Sequence, residues 1–299
     1  MKDNRTTSNS EVLHIPVLLE ETIRALYPQK GDRYLDLTAG YGGHAEEVIK
    51  LIGDESLATL VDRDPFAVKI LKLKFPKAEV LHIDFLGAVK FLEERGDKFN
   101  LVLADLGVSS VQLDSADRGF GFQNDSELDM RMDSKQEVTA KTILNEYSEQ
   151  ELFKVIREYG DEPRARRISK FIVEARPLSL TSELEAICKR VYPGYSKKNP
   201  ATRTFQAIRI EVNDELGQLR GSLAPILNLM EPGARLAIIS FHSLEDRMVK
   251  RFFKNNSGGY DGVLKDLKVL KSSDTIDIVR NLRSRSAILR SVIYENKHN

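Results

Sequence analysis

The chain has 299 residues, long enough for one large domain or two ordinary ones around a sizeable core. With 41% hydrophobic and 30% charged residues it has the balance of a soluble globular protein, and its longest apolar runs, such as LAIISF at 236–241, are too short to cross a bilayer. The single cysteine, Cys188, excludes an internal disulfide and a cysteine zinc cluster, and its place in ELEAICKRVY marks it as a packing residue. A polar opening segment without an apolar stretch argues against a secretory signal and leaves the cytoplasm as the expected compartment.

Lysine plus arginine equals aspartate plus glutamate at 45 each, so bulk charge does not announce a polyanionic partner. The distribution is less even. Residues 157–209 carry twelve basic against six acidic side chains, and 247–290 is also basic, whereas 105–133 leans acidic. Local basic faces of this kind can hold nucleic acid while the total stays at zero, with solvated helix faces as the plain alternative.

The first third alternates strand and helix patterns. RYLDLTA (33–39), LATLVD (57–62), AEVLHID (78–84) and FNLVLADLG (99–107) read as strands, and HAEEVIKLI, PFAVKILKLKF and GAVKFLEERG as the helices between them. That rhythm predicts a parallel sheet with helices on both faces. From about Ser115 to Asn213 the patterns turn helical, with TRTFQAIRIEVNDELGQL as the last of five stretches, before RLAIIS (235–240) and SAILRSVIYE (286–295) restore strands. The predicted arrangement is an α/β domain formed by 1–114 and 214–299, interrupted by a helical insertion over 115–213 that takes part in substrate recognition.

Between the first strand and its helix lie Gly40, Gly42 and Gly43, which let the backbone turn sharply against a ligand at a helix N-terminus. Asp62 closes the second strand, where a carboxylate can accept both hydroxyls of a ribose. The loop loosely matches the dinucleotide fingerprint as well, so a nicotinamide cofactor and S-adenosylmethionine compete. Asp36 before the loop, His44 inside it, and Asp84-Phe85 placed to frame an adenine favour S-adenosylmethionine. Further on, Asp105 projects from the carboxyl end of a strand, the edge where open α/β sheets bind ligands, and His242 and Ser243 follow a later strand to the same edge.

DLTAGYGGHAEEV, VDRDPFAV, DLGVSSVQLD, RGFGF, LDMRMD, NPATRTFQAIRI and ISFHSLEDRMVK together closely resemble the ribosomal RNA small-subunit methyltransferase H family, over about residues 14–295. The resemblance implies a class I methyltransferase fold, Rossmann-like with a mostly parallel sheet, carrying the helical insertion. It implies S-adenosyl-L-methionine as cofactor and N4-methylation of a specific cytosine in the decoding centre of 16S ribosomal RNA. The implied partner is that RNA or the small-subunit particle, with no membrane and no metal, and the oligomeric state is left open. Family cofactor contacts carry over onto Gly42, Gly43, His44, Asp62, Phe85, Asp105 and Gln112. The segment after LDMRMD and the region 255–282 depart from the family pattern, which bears on the outer substrate surface.

Methyl transfer from a sulfonium is an in-line displacement governed by positioning and electrostatics. The cytosine amine is a poor nucleophile because its lone pair is delocalised, so Asp105, or the backbone beside it, is the candidate for orienting cofactor and amine together. His242 either positions substrate or caps a loop, whereas His14 and His82 read as structural. Phe120 and Phe122 are candidates for receiving an unstacked base, with a hydrophobic anchor as the alternative. Arg203 and Arg209 lie six apart on one helical pattern and face different ways, Arg203 being the expected phosphate contact. Arg164, Arg166, Arg167 and Lys170 offer a basic face. Two rival functions remain at this point, an NAD-dependent oxidoreductase and a non-catalytic cofactor-binding regulator of nucleic acid.

Overall fold

A computed structural model describes residues 16–109, 118–121, 125–194, 199–258, 262–272 and 285–295. After α1 (Leu19–Leu26), the chain alternates β1 (Tyr34–Asp36), α2 (Gly43–Ile52), β2 (Ala58–Asp62), α3 (Pro65–Lys74), β3 (Glu79–His82), α4 (Phe85–Arg95) and β4 (Phe99–Asp105). The starts of α3 and α4 are fixed locally. Asp64 accepts the Phe66 N–H and Asp84 the Gly87 N–H, each side chain satisfying a donor that the helix leaves open.

The insertion supplies α5 (Ala140–Glu146), α6 (Glu149–Gly160), α7 (Ala165–Ala175), α8 (Thr181–Val191) and α9 (Thr202–Asn213), and α10 (Glu215–Asn228) follows. The helical pattern TRTFQAIRIEVNDELGQL is therefore two helices. Asp214, with φ 46°, ends one and begins the other, and a left-handed residue there turns the chain between them. The chain then forms β5 (Met230–Ser240), α11 (Ser243–Asn256), β6 (Leu264–Lys271) and β7 (Ile288–Tyr294).

The seven strands make one sheet in the order β3-β2-β1-β4-β5-β7-β6. Pairing is parallel from β3 through β5 and antiparallel at β5–β7 and β7–β6, so the sheet is mostly parallel with a mixed edge. The sequence reading has no strand at β6, whose only buried residue is Leu264. LKDLKVLK lacks the apolar face of a core strand because it is an edge, where charged side chains discourage further pairing.

Alternate residues of the central strands feed two cores. Leu101, Leu103, Ala237 and Ile239 pack with α1 and α2 on one face. Val102, Ala104, Leu236 and Ile238 pack with α4, α10 and α11 on the other. The insertion has a third core, in which α5 to α9 bury Ile143, Ile156, Ile168, Leu184 and Ile208 together. Arg118 ties that unit to the sheet, donating to Asp64 Oδ2 at 2.8 Å and to the carbonyls of Arg131 and Met132. Arg63 answers from the other side, donating to the Asn213 carbonyl at 3.0 Å. These bonds set the insertion over the carboxyl edge of the sheet.

Candidate active site

A cleft of about 810 Å³ opens at that edge, and its walls come from the glycine loop, Asp62, Phe85, Asp105, the start of α2, α9, α10 and the turn after β5. On the loop, Gly42 has φ 76° and a Cβ there would lie 2.5 Å from the Phe75 ring, while one on Gly43 would lie 2.4 Å from Pro16. Only glycine fits this close packing. Gly42 also caps α2 without any side-chain acceptor, so the first-turn N–H groups stay available to a ligand.

Asp62 secures the loop from β2. Its Oδ2 accepts the Gly40 N–H and its Oδ1 the Asp64 N–H, both at 2.8 Å. Each oxygen keeps a second acceptor site, which suits two neighbouring hydroxyls. Burial outweighs these bonds and raises the carboxyl to about 6.

Asp36 is not a cleft residue as expected. It is buried behind the loop, accepting the Tyr34 hydroxyl at 2.8 Å and the Thr38 N–H at 3.1 Å. Burial pushes its carboxyl up to about 7. The reason is position along the chain: Asp36 lies inside β1, whose three residues are all buried, and Leu37, Thr38 and Ala39, beyond the strand's end, line the cleft instead. Asp84 likewise serves as a helix cap and does not line the cleft, leaving Phe85 as the ring there.

His44 lines the cleft yet turns both nitrogens inward. Its Nε2 is 3.1 Å from the Val17 carbonyl, which requires the proton on Nε2, and Nδ1 is 3.7 Å from Asp105 Oδ2. Burial lowers the imidazole to about 4, so it is neutral at ordinary pH. The donor expected for the cofactor is thus spent on Val17, and the remaining lone pair faces Asp105. The Asp105 backbone N–H donates to Thr38 Oγ1 at 2.5 Å, and its Oδ1 is buried with no hydrogen-bond partner among the described residues. Burial, followed by the charges of Asp36 and Glu245, holds the Asp105 carboxyl well above the usual carboxylate range. Among the described residues it is the one buried carboxylate oxygen at the cleft without a hydrogen-bond partner.

On the opposite wall the sequence offered His242 at the cleft but neither the pairing of Arg209 with Glu215 nor the part played by Glu245. Arg209 donates from Nε and Nη2 to the two oxygens of Glu215 at 2.8 and 2.9 Å. Next to this fork, His242 caps α11 through Nδ1, while Glu245 Oε2 accepts the N–H groups of Phe241 and His242. Burial pushes Glu245 up, but His242, the Phe241 N–H and the Arg209 charge outweigh it and keep the carboxylate ionised. Glu215, His242 and Glu245 bring donor atoms within 4.8 Å of one another, a spacing compatible with a metal ion. A guanidinium engages both oxygens of Glu215 and two backbone donors engage Glu245 Oε2, whereas His242 Nε2 is buried without a hydrogen-bond partner among the described residues.

Of the other expected residues, Phe120 is buried in the insertion core beneath Arg118, which makes it an anchor and removes it as a stacking surface. Arg203 is exposed, donates to the Asp161 carbonyl at 3.2 Å and lies outside the cleft, whereas Arg209 lines it. Gln112 and Phe122 lie outside the described residues.

A profile of the MraW methylase family matches residues 11–295. The chain belongs to the MraW methylase family. It is 41% identical to ribosomal RNA small subunit methyltransferase H of Caldicellulosiruptor saccharolyticus, over 93% of this chain and 97% of that protein. The namesake protein of Deinococcus radiodurans is 43% identical over 93% of this chain and 88% of its own. Among solved structures, a putative methyltransferase from Streptococcus mutans in complex with SAH aligns over 94% of this chain and 99% of its own, at 11% identity and a TM-score of 0.46. This member of the MraW methylase family is an S-adenosylmethionine-dependent methyltransferase of class I fold, which removes both the oxidoreductase and the non-catalytic readings. Its glycine loop, open helix start and Asp62 fit the nucleoside of that cofactor. Among the described residues, no helix is long and apolar enough to cross a membrane.

Proposed function

We propose that this methyltransferase modifies the exocyclic N4 of one cytosine of 16S ribosomal RNA, in the decoding centre, acting in the cytoplasm on the RNA or the small-subunit particle. The relatives' name, ribosomal RNA small subunit methyltransferase H, supports the RNA. The observation that carries the chemistry is the buried, unpartnered Oδ1 of Asp105 in the cleft that also holds the glycine loop.

S-adenosylmethionine supplies an electrophilic methyl group on a cationic sulfur. The chain's task is to hold the amine in line with it and to relieve the charge that builds on N4. Asp105 accepts a hydrogen bond from the amine, which localises the nitrogen lone pair, and then takes the departing proton. Although burial favours its neutral form, Asp105 ionises more readily beside a positive charge. His44 is a positioning residue, since its Nδ1 faces Asp105 Oδ2 while Val17 fixes the ring. Leu106 and Phe241 line the same cleft and exclude water.

The helical unit of residues 115–213 supplies the RNA-facing surface. On α7, exposed Arg166 and Arg167 lie over the rings of Phe153 and Phe171, and Arg190 covers Phe171 at 4.2 Å from its centroid. Guanidinium groups stiffened on rings in this way suit phosphate contacts. The reading is tested by mass mapping of ribosomal RNA from cells lacking the protein. One missing methyl group on a cytosine, restored by the wild type and not by Asp105→Ala, is expected. A complete methylation pattern would refute it.

A further inference from the structure

The wall made by α9, α10 and the turn into α11 carries ionised groups for which the nucleoside of the cofactor has no use. The Arg209–Glu215 fork is largely buried, with side-chain exposures of 15% and 8%. It consumes Nε and Nη2 of the guanidinium, which leaves Nη1 outside the fork's hydrogen bonds in a residue that lines the cleft. Asp105, Arg209, Glu215 and Glu245 all line this one cleft, so the fork and the unpartnered carboxylate oxygen face the same cavity.

The charge balance says what this wall accepts. Two carboxylates, Glu215 and Glu245, stand against one guanidinium, and His242 Nε2 is 3.2 Å from Glu245 Oε1 in ion-pair range. With two carboxylates against one guanidinium, the fork does not gather a phosphate or the carboxylate of an amino acid. A neutral group offering acceptors is the partner that fits directed donors in such a field.

We propose that Arg209, held rigid by Glu215, is a base-reading residue that donates through Nη1 to the N3 and O2 acceptor edge of the cytosine whose amine lies at Asp105. This rests on the N4-methylation reading above. A cytosine presents a donor at position 4 and acceptors at N3 and O2, matching a carboxylate at one end and a guanidinium at the other. Uracil reverses positions 3 and 4, setting an N–H against the guanidinium and a carbonyl against the carboxylate. A site built on directed hydrogen bonds rejects such an analogue strongly, because buried groups are left unpaired. The subsite also explains why Glu215 is present: without it, Arg209 would be free to follow any phosphate.

The test compares two small-subunit particles, one with the natural target cytosine and one with 3-deazacytidine there, which keeps the amine and replaces the N3 acceptor with C–H. The enzymes are the wild type and the double variant Arg209→Met, Glu215→Gln, chosen so that neither charge is left buried alone. Wild type should lose about ten- to a hundredfold in kcat/KM on the analogue, and the double variant a similar factor on the natural particle. The double variant should discriminate between the two particles by less than about threefold. S-adenosylmethionine affinity, measured by calorimetry, and the melting temperature report whether the fold and cofactor site survive. With both intact, a double variant that still discriminates as strongly as wild type would overturn the proposal. A wild type that binds S-adenosylmethionine yet leaves the cytosine particle unmethylated would instead defeat the activity reading, and the subsite with it.

Discussion

The two walls of the cleft are made of different materials. On the cofactor side, backbone does the shaping: glycines packed against Phe75 and Pro16, an uncapped helix start, and one carboxylate that braces the loop. On the opposite side, side-chain charges do it, with Arg209 gripping Glu215 and Glu245 gripping two N–H groups. A wall of backbone is set by chain direction and fails locally when altered. A wall of buried charges is cooperative, because removing one partner strands the other. Asp105, at the end of β4, lies at the junction.

The largest effect is expected at that junction. Asp105→Ala should lower kcat by about a hundred- to ten-thousandfold, the range of a lost proton acceptor, with RNA affinity retained in filter binding. A variant with ordinary turnover would make the junction mere scaffold. Next comes Phe120→Ala, which empties a site in the insertion core and should cost about 3–5 kcal/mol in denaturant unfolding. Lost RNA binding at unchanged stability would restore Phe120 as a stacking surface.

Asp36 comes third. Its carboxyl is raised to about 7 in the fold from an ordinary 3.8, so the native state binds its proton more tightly than the unfolded chain. The resulting stability is full below about pH 4 and disappears as pH rises through about 7, a change of up to about 4 kcal/mol. Asp36→Asn carries no such dependence, and its stability relative to wild type should improve steadily over that window. A constant difference would show that Asp36 does not titrate there. The smallest effect belongs to the cofactor wall. Asp62→Ala should weaken S-adenosylmethionine by about ten- to a hundredfold. In the wild type, affinity should fall as pH drops below about 6, where Asp62 takes up a proton and loses acceptor capacity. A pH-independent affinity would detach Asp62 from the sugar.

The cofactor wall was legible in the sequence because it is local. Glycines, helix start and Asp62 fall at fixed distances along one β-α-β run, and hydrophobic period alone reveals that run. The Arg209–Glu215 pair was not legible because its partners meet only through a turn. Six residues along one helix put Arg209 and Glu215 on different faces, and only the left-handed Asp214 between α9 and α10 brings them together. Asn-Asp within IEVNDEL was the available signal, since these residues tolerate that conformation better than most. Asp36 and His44 show a different limit. Both flank or belong to the glycine loop, but burial and the Val17 carbonyl, which decide what each group touches, come from packing. β6 escaped notice because an exposed edge has no apolar face to betray it.

The most direct test of the whole arrangement is a crystal structure with S-adenosylhomocysteine in the cleft. The ribose hydroxyls should meet Asp62, the sulfur should point toward Asp105, and the Arg209–Glu215 wall should remain open beyond it. A nucleoside bound elsewhere, or lying across Arg209 with Asp62 unengaged, would contradict the division of the cleft into a cofactor wall and a base wall.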